Sequence, residues 1–131
     1  MSASSSRIRV RYAETDQMGV AYHGNYFAWF EVGRTDLLRT LGFTYKELEA
    51  EDCRLPVIQV EARFLKPARY DDVLQIQTRL RETTGVRLVF EYDVRRDGEP
   101  EPLAAGMTAH AAVDARGRPR RLPVELRRRL A

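Results

Sequence analysis

The sequence predicts an α+β domain in which an antiparallel five-stranded sheet wraps around one long central helix. One strand-like run precedes a single long and strongly apolar helix, and four strand-like runs follow it. Short connections between neighbouring strands require antiparallel pairing. The helix at 26–41 is the only large apolar element that can cover the apolar face of such a sheet, so the sheet is expected to curve around it.

The first strand is predicted from an alternation with a period of two residues. Ile8, Val10 and Tyr12 are separated by arginines, which is typical of a half-buried strand. Upstream, Ser4–Ser6 is the only stretch of low complexity. We therefore expect residues 1–6 to form a frayed terminus.

The apolar pattern from Asn25 onwards changes to that of a helix. The helix covers about four turns at 26–41 and ends at Gly42. Its apolar residues occupy more than one narrow stripe, which predicts deep burial. Asn25 is the predicted N-cap. A shorter helix follows, with Thr44 as its cap and Glu47 three residues later, the spacing of a capping box.

Four strands are predicted in the second half of the chain, and two turn sequences separate three of them. The turns are Thr84-Gly85 and Asp97-Gly98. The strands are expected at 58–64, 74–81, 86–94 and 103–113. Because an open sheet leaves an edge strand that domains often protect by pairing with a second copy, we expect a homodimer or a dimer of dimers.

Length and composition exclude several classes of protein. The 131 residues are enough for one domain spanning 1–131, and 44% apolar with 31% charged residues excludes a disordered chain. No apolar run approaches the roughly 20 residues that a membrane span needs. The N-terminus lacks the pattern of a secretory signal. Cys53 is the only cysteine, which excludes an internal disulfide and favours the cytoplasm.

The positive charge is concentrated at the C-terminus. Residues 116–131 carry seven arginines and one acid, Glu125, which gives +6 and leaves −3 on the rest of the chain. Such a basic segment indicates an anionic partner. The alternative is a solvated arginine-rich tail, because the whole chain holds 20 arginines and only two lysines. The charge alone leaves both interpretations open.

The loop before the helix combines two features that hydrolysis of an acyl group requires. Asp16 is a carboxylate without an adjacent basic residue, and the helix start that follows it carries backbone N–H groups without helical partners. A carboxylate facing such N–H groups can attack or activate while the N–H groups stabilise an oxyanion. The alternatives are structural. Asp16 can form a turn with Thr15, and His23 before a helix is more often a hydrogen-bonded residue than a catalyst.

The segment 12–26 resembles the active-site motif of hotdog-fold thioesterases of the 4-hydroxybenzoyl-CoA thioesterase family. Within that family it is most similar to the bacterial acyl-CoA thioesterases associated with the Tol–Pal system. The matching pieces are Thr15-Asp16, Gly19-Val20, Tyr22-His23 and Asn25-Tyr26, followed by Glu31 and Arg34 on the helix. Weaker matches are Phe64, Pro67-Ala68, Asp71-Asp72 and Leu122-Pro123. The resemblance implies the hotdog fold.

The resemblance also implies an acyl-CoA thioesterase that needs no cofactor. Asp16 aligns with the family's catalytic aspartate, which acts as nucleophile or as general base. His23 aligns with the residue whose main-chain N–H polarises the thioester carbonyl, and in the most similar subgroup its imidazole is also implicated. Tyr22, Gly24 and Asn25 are then expected to shape the substrate site.

A CoA substrate gives the arginines a possible partner. Candidates for phosphate binding are Arg87, Arg116, Arg118 and Arg120, since arginine forks suit phosphate. Two other functions stay open, namely a non-catalytic hotdog protein that binds acyl-CoA or nucleic acid, and a thioesterase for acyl carrier protein. Nucleic acid is the less favoured partner. With one cysteine and two histidines no metal site is expected, and His110 is interpreted as structural or exposed.

Overall fold

The computed structural model describes residues 2–130. The elements are β1 (Ala3–Arg9), α1 (Asn25–Thr40), α2 (Tyr45–Ala50), β2 (Val57–Phe64), β3 (Val73–Thr83), β4 (Arg87–Arg96), β5 (Pro102–Ala111) and α3 (Val124–Leu130). A short 3-10 turn, Tyr12–Glu14, lies between β1 and α1. The five strands form one antiparallel sheet in the order β1-β3-β4-β5-β2. The predicted α+β class and the five-stranded antiparallel sheet are confirmed.

The expectation of a frayed N-terminus is wrong from Ala3 onwards. Ser4–Ser6 belong to β1, where Ser6 is opposite Ile76 of β3 and is buried. The strand is held by the hydrogen-bond ladder to β3, which does not require apolar side chains. Small serines on the inner face also leave room for the helix above them. Met1 lies outside the described residues.

Helix α1 forms the centre of the core, where it packs against β1, β3 and β4. Phe30 is fully buried and stacks on Tyr92, with 4.4 Å between ring centroids and 9° between planes. Two glycines permit this close approach. A Cβ at Gly33 would lie 2.2 Å from Thr78 Oγ1, and one at Gly106 would lie 2.6 Å from the Phe30 ring. The sheet therefore curves around the helix at contact distance.

The ends of α1 match the sequence prediction at one side only. The helix ends before Gly42, whose φ of +87° favours glycine. At the start, the N-cap is Gly24 and Asn25 is the first helical residue, so the predicted Asn25 cap is wrong. The reason is that Asn25 Nδ2 donates to the main-chain oxygen of Glu14 at 2.7 Å, so the side chain reaches back to the loop.

The prediction that Thr44 caps the short helix α2 is confirmed. Thr44 Oγ1 accepts a hydrogen bond from the Glu47 N–H at 3.1 Å, as the sequence spacing predicts.

A chain of polar groups crosses the core beneath α1. The ring of His110 bonds the main-chain oxygen of Leu55 at 2.9 Å and Thr108 Oγ1 at 2.8 Å. Thr108 Oγ1 in turn lies 2.5 Å from the hydroxyl of Tyr92. His110 is 1% exposed, and burial lowers its pKa to about 4. Of the two interpretations of His110 as structural or exposed, the structural one is confirmed.

Strands β1 and β2 form the two edges of the sheet, and they differ in character. Most exposed residues of β1 are polar, whereas β2 exposes large apolar side chains. Between 41% and 53% of the surface of each is accessible at Val57, Ile58, Val60 and Phe64. No helix among residues 2–130 is long and apolar enough to cross a membrane.

Candidate active site

A cavity of about 380 Å³ lies between the loop that precedes α1 and the segment that follows β2. The structure brings both predicted catalytic residues, Asp16 and His23, to its wall. The remaining lining residues are largely apolar, and they are Met18, Val20, Ala21, Tyr26, Phe64, Leu65, Lys66 and Pro67. A polar pair within an apolar cavity is the arrangement expected of a small-molecule site.

The loop that carries Asp16 is a closed turn. The Asp16 N–H donates to the main-chain oxygen of Val20 at 3.0 Å, and the Gly19 N–H donates to that of Asp16 at 2.9 Å. Gly19 has a φ of +77°, which a residue with a side chain adopts only under strain. One end of the turn is bonded to the segment after β2, since the Ala21 N–H donates to the oxygen of Ala68 at 2.8 Å. These bonds fix the loop as a unit.

The carboxylate of Asp16 is held through one of its two oxygens. Oδ1 accepts a hydrogen bond from the Met18 N–H at 2.9 Å, and Oδ2 accepts none from the side chains and main chain of residues 2–130. The turn-forming and the chemical interpretations of Asp16 are therefore compatible. The hydrogen bond at Oδ1 orients the group, and the second oxygen keeps its lone pairs for another partner.

The start of α1 presents main-chain N–H groups at and beside His23, which lines the same cavity as Asp16. The Asn25 N–H donates to the oxygen of Tyr22 and the Tyr26 N–H donates to that of His23. Within the described chain, the N–H groups of His23 and Gly24 donate to no main-chain oxygen in the turn. Because the positive end of the helix dipole lies here, these two groups form a favourable site for negative charge.

Aromatic rings support the position of His23. The ring of Tyr22 lies 4.4 Å from that of His23, and the ring of Phe64 lies 6.1 Å from it on another side. Tyr22 can take this position because Gly24 has no Cβ, which would lie only 2.8 Å from the Tyr22 ring. Phe64 also contacts Tyr26, with 5.0 Å between ring centroids. Tyr22 and Gly24 thus shape the wall without lining the cavity.

The other predicted substrate-binding residues lie away from the cavity. The amide of Asn25 is bonded to Glu14, as described above. Arg87 begins β4, next to the turn at Thr84. The N–H groups of Arg116 and Arg118 donate to Asp114 Oδ1, at 2.9 and 3.0 Å.

Arg120 is bonded to the end of α2. Its Nη1 donates to the main-chain oxygen of Glu51 at 2.7 Å and to that of Asp52 at 3.2 Å. Arg129 occupies a similar position at the end of α1, where Nη1 donates to the oxygen of Leu41 at 2.7 Å. Since the 16 residues of α1 span about 24 Å, this end lies far from the Gly24 cap. Within one chain, the basic segment and the cavity are therefore near opposite ends of α1.

Sequence reasoning missed Lys66, which among residues 2–130 is the one lysine or arginine that lines the cavity. Its ammonium group forms an ion pair with Glu101 in the connection between β4 and β5. Its position in the sequence, between the weaker family matches Phe64 and Pro67-Ala68, could have indicated it. Among residues 2–130 no group of three His, Cys, Asp or Glu side chains is arranged to hold a metal ion.

Comparisons with known proteins identify the family of this chain. Residues 18–103 match the Thioesterase superfamily. The Bacillus subtilis protein YneP is 37% identical, over 87% of this chain and 82% of its own. Acyl-CoA thioester hydrolase YbgC of Escherichia coli O6:H1 is 41% identical, over 63% of this chain and 62% of its own. The structure of a DHNA-CoA thioesterase from Staphylococcus aureus superposes with a TM-score of 0.88 and 34% identity, over 93% of this chain and 82% of that one.

Proposed function

Since this chain belongs to the Thioesterase superfamily, we propose that it hydrolyses an acyl-CoA thioester to a free carboxylic acid and CoA. One observation carries the proposal, namely that Asp16 and His23 line the same cavity. The similarity to YbgC, an acyl-CoA thioester hydrolase, supports CoA as the carrier of the acyl group. For this activity we also propose a cytoplasmic location, because a chain with a single cysteine is typical of a reducing compartment.

In the proposed mechanism the thioester carbonyl oxygen accepts hydrogen bonds from the His23 and Gly24 N–H groups. Negative charge that develops on this oxygen is stabilised by these donors and by the helix dipole. The N–H groups are already in place before the reaction, so no reorganisation is needed when charge develops.

Asp16 then acts by one of two routes. As a nucleophile, a carboxylate oxygen bonds to the acyl carbon, the C–S bond breaks to release the CoA thiolate, and water hydrolyses the resulting anhydride. As a general base, the carboxylate takes a proton from water, whose oxygen bonds to the acyl carbon as the thiolate leaves. In both routes the thiolate is finally protonated and the carboxylate is regenerated. Under single turnover in water enriched in ¹⁸O, label in Asp16 identifies the nucleophilic route with water attack at the Asp16 carbonyl carbon, because the general-base route places the label only in the released acid.

The imidazole of His23 has a secondary role in this proposal. A thiolate leaves easily without a proton donor, so the main-chain N–H contributes more than the side chain. Tyr22, Gly24 and Asn25 maintain the position of that N–H through the contacts already described.

We propose that the protein is at least a homodimer that pairs through the exposed edge of β2. Four large apolar side chains on this strand are accessible in the single chain, and an unpaired apolar edge is unfavourable in water. Antiparallel pairing about a two-fold axis places the Val57 end of one strand beside the Phe64 end of its partner. Measurement of mass in solution for wild type and for Ile58→Lys tests this arrangement, with a smaller assembly expected for the variant.

This pairing gives the basic segment access to a substrate. Val113 bridges both Arg54 and Pro119, so the segment 113–119 flanks the start of β2. In the dimer it would lie close to the cavity of the other subunit. We therefore propose that Arg116 and Arg118 of the partner subunit bind CoA phosphates, with Arg87 and Arg120 as further candidates.

A panel of acetyl-, decanoyl- and benzoyl-CoA, followed by release of free thiol, tests the proposed activity. We expect hydrolysis of at least one substrate at a rate that saturates with concentration. The same panel presented on acyl carrier protein tests the alternative substrate, for which the basic segment would contact an acidic protein. Binding of acyl-CoA or nucleic acid without any hydrolysis would instead support the non-catalytic alternative.

A further inference from the structure

Glu14 is a buried carboxylate two residues before Asp16, and the mechanism above does not use it. Only 9% of its surface is exposed. Oε1 accepts a hydrogen bond from the Arg11 N–H at 2.8 Å, and Oε2 accepts one from the indole N–H of Trp29 at 3.1 Å. The Arg11 guanidinium lies 3.4 Å from Oε1. A buried carboxylate is costly unless such donors satisfy it.

These donors keep the group ionised. Burial alone raises the pKa of Glu14, but the hydrogen bonds from Arg11 and Trp29 and the nearby guanidinium outweigh it and hold the pKa below its ordinary value. A carboxylate in this state offers two acceptor oxygens and no donor. Both partners of this carboxylate are N–H donors, so the pairing favours the ionised form.

The main chain of Glu14 is bonded as fully as its side chain. Its oxygen accepts hydrogen bonds from the Tyr22 N–H at 2.8 Å and from Asn25 Nδ2 at 2.7 Å. Tyr22 directly precedes His23, and Asn25 directly follows Gly24. One residue therefore connects the turn at Arg11, the residue before the polarising N–H groups and the first two turns of α1.

The proposed chemistry makes this connection important. The carboxylate comes from the loop, the N–H groups come from the helix start, and both must reach one carbonyl. Displacement of a reacting group by about 1 Å can cost about 100-fold in rate. The Asp16 turn is closed by its internal hydrogen bonds. Its distance from the N–H groups therefore depends on how its ends are attached, and Glu14 is the attachment on the N-terminal side.

We propose that Glu14 is a positioning residue. Its carboxylate, bonded to Arg11 and Trp29, holds in place the main-chain oxygen that binds Tyr22 and Asn25, and so fixes the Asp16 carboxylate relative to the His23 and Gly24 N–H groups. The inference rests on the proposed function, because it assigns Glu14 a role in thioester hydrolysis. Glu14 contacts no substrate and transfers no proton. It acts through the geometry of two other residues.

The decisive variant is Glu14→Gln, which keeps the size of the side chain. A glutamine amide has one acceptor oxygen and one NH₂ group, so it must direct a donor towards either the Arg11 or the Trp29 N–H. We expect kcat to fall by about 10- to 100-fold with KM within twofold of wild type. Trp29→Phe removes one hydrogen bond and keeps an aromatic ring, so kcat should fall by several-fold. Glu49→Gln, in an exposed position of α2, is the matched control and should leave kcat unchanged.

The measurement uses the full chain and whichever of acetyl-, decanoyl- or benzoyl-CoA the wild type hydrolyses fastest. Assays run well below the melting temperature of each variant, so that a loss of stability does not enter kcat. A folded Glu14→Gln protein with wild-type kcat overturns the inference, since a purely structural residue would change only the melting temperature. If Glu14→Gln does not fold, Trp29→Phe decides in the same way. A wild type without any hydrolysis overturns the proposed function and this inference together. If the wild type is active and Glu14→Gln keeps wild-type kcat, only the inference about Glu14 is overturned.

Discussion

The loop before α1 and the basic segment after β5 hold their polar groups by different means. In the loop, one hydrogen bond from the main chain orients the Asp16 carboxylate, and two N–H groups at the helix start have no main-chain acceptor among residues 2–130. In the basic segment, the arginines themselves are the donors. Arg120 bonds the end of α2, and Arg129 bonds the end of α1 while its guanidinium lies 5.2 Å from the centre of the Phe43 ring. Cations at helix C-termini are stabilising.

The density of charge along this chain is therefore a poor guide to the position of the proposed active site. In the segment with +6, four of the seven arginine side chains donate hydrogen bonds within the chain, and none of the seven lines the cavity. The loop carries little charge, but its Asp16 carboxylate lines the same cavity as His23, at the helix start whose N–H groups have no main-chain acceptor among the described residues. Four measurements test this difference between the loop and the basic segment.

The largest expected difference comes from one substitution made in both regions. Gly19 and Gly117 have φ values of +77° and +78°, and a Cβ at either would meet nothing within 4 Å. Alanine at each should therefore destabilise the fold by about 1 kcal/mol through backbone strain alone. We expect Gly19→Ala also to lower kcat by about 100-fold, because the strain displaces the Asp16 turn. Gly117→Ala should keep kcat within twofold. Equal kcat values for the two variants would remove the distinction between the regions.

Between pH 6.5 and about pH 5 the pH dependence of stability should originate mainly in the core. The carboxylates of Glu14 and Glu125, whose pKa values are lowered, contribute only at lower pH. The pKa of His110 is lowered to about 4 from an ordinary value of 6.5, so the unfolded chain binds a proton first as the pH falls. The free energy of unfolding should then decrease by about 2–3 kcal/mol between pH 6.5 and pH 4 and change no further from this group below pH 4. Urea unfolding across this range checks it. The slope between pH 6.5 and about pH 5 should be retained in His23→Ala and lost in His110→Gln.

A smaller effect separates the main chain of His23 from its side chain. His23→Ala removes the imidazole and keeps the N–H that polarises the carbonyl. We expect kcat to fall by about tenfold or less, since the oxyanion donors contribute more than a proton donor to an easily leaving thiolate. Steady-state kinetics on the best acyl-CoA substrate measures it. A fall in kcat as large as that of an Asp16 variant would indicate that the imidazole takes part directly in the reaction.

The smallest effects should divide the arginines of the basic segment. Arg118→Ala is expected to raise KM for acyl-CoA by about threefold with kcat unchanged, and the increase should vanish at high salt. Arg120→Ala should instead lower stability by about 1 kcal/mol, because its bonds to Glu51 and Asp52 are lost. KM values at two salt concentrations, together with melting curves, distinguish the two outcomes. A higher KM for Arg120→Ala alone would reverse the assignment.

The elements of the fold were predictable because each rests on a local pattern. Period-two alternation locates β3 and β4, and the cap at Thr44 follows from a three-residue spacing. The order of the strands was not predictable, because β2 pairs with β5 far along the chain. The extent of β1 towards the N-terminus was underestimated for a related reason. Its serines carry no apolar signal, and the ladder that orders them belongs to β3.

The site was predictable in its chemistry and only partly in its geometry. Asp16 and His23 lie within one short segment, so their meeting in one cavity follows from sequence proximity. Lys66 and Phe64 reach the same cavity from beyond β2, which depends on the fold as a whole. The Asn25 cap failed because a carbonyl eleven residues earlier competes for its side chain. The distance between the basic segment and the cavity depends on the direction of α1 and on where α3 packs.

The central claim is that the carboxylate of Asp16 carries the chemistry, and Asp16→Asn tests it most directly. Asparagine keeps an oxygen that can accept the Met18 N–H, so the turn should persist and the melting temperature should stay close to that of wild type. Thiol release from acyl-CoA is the measurement. We predict a loss of about 1,000-fold or more in kcat, because an amide is neither a nucleophile nor a base at neutral pH. A folded Asp16→Asn protein that retains kcat within tenfold of wild type would contradict the account.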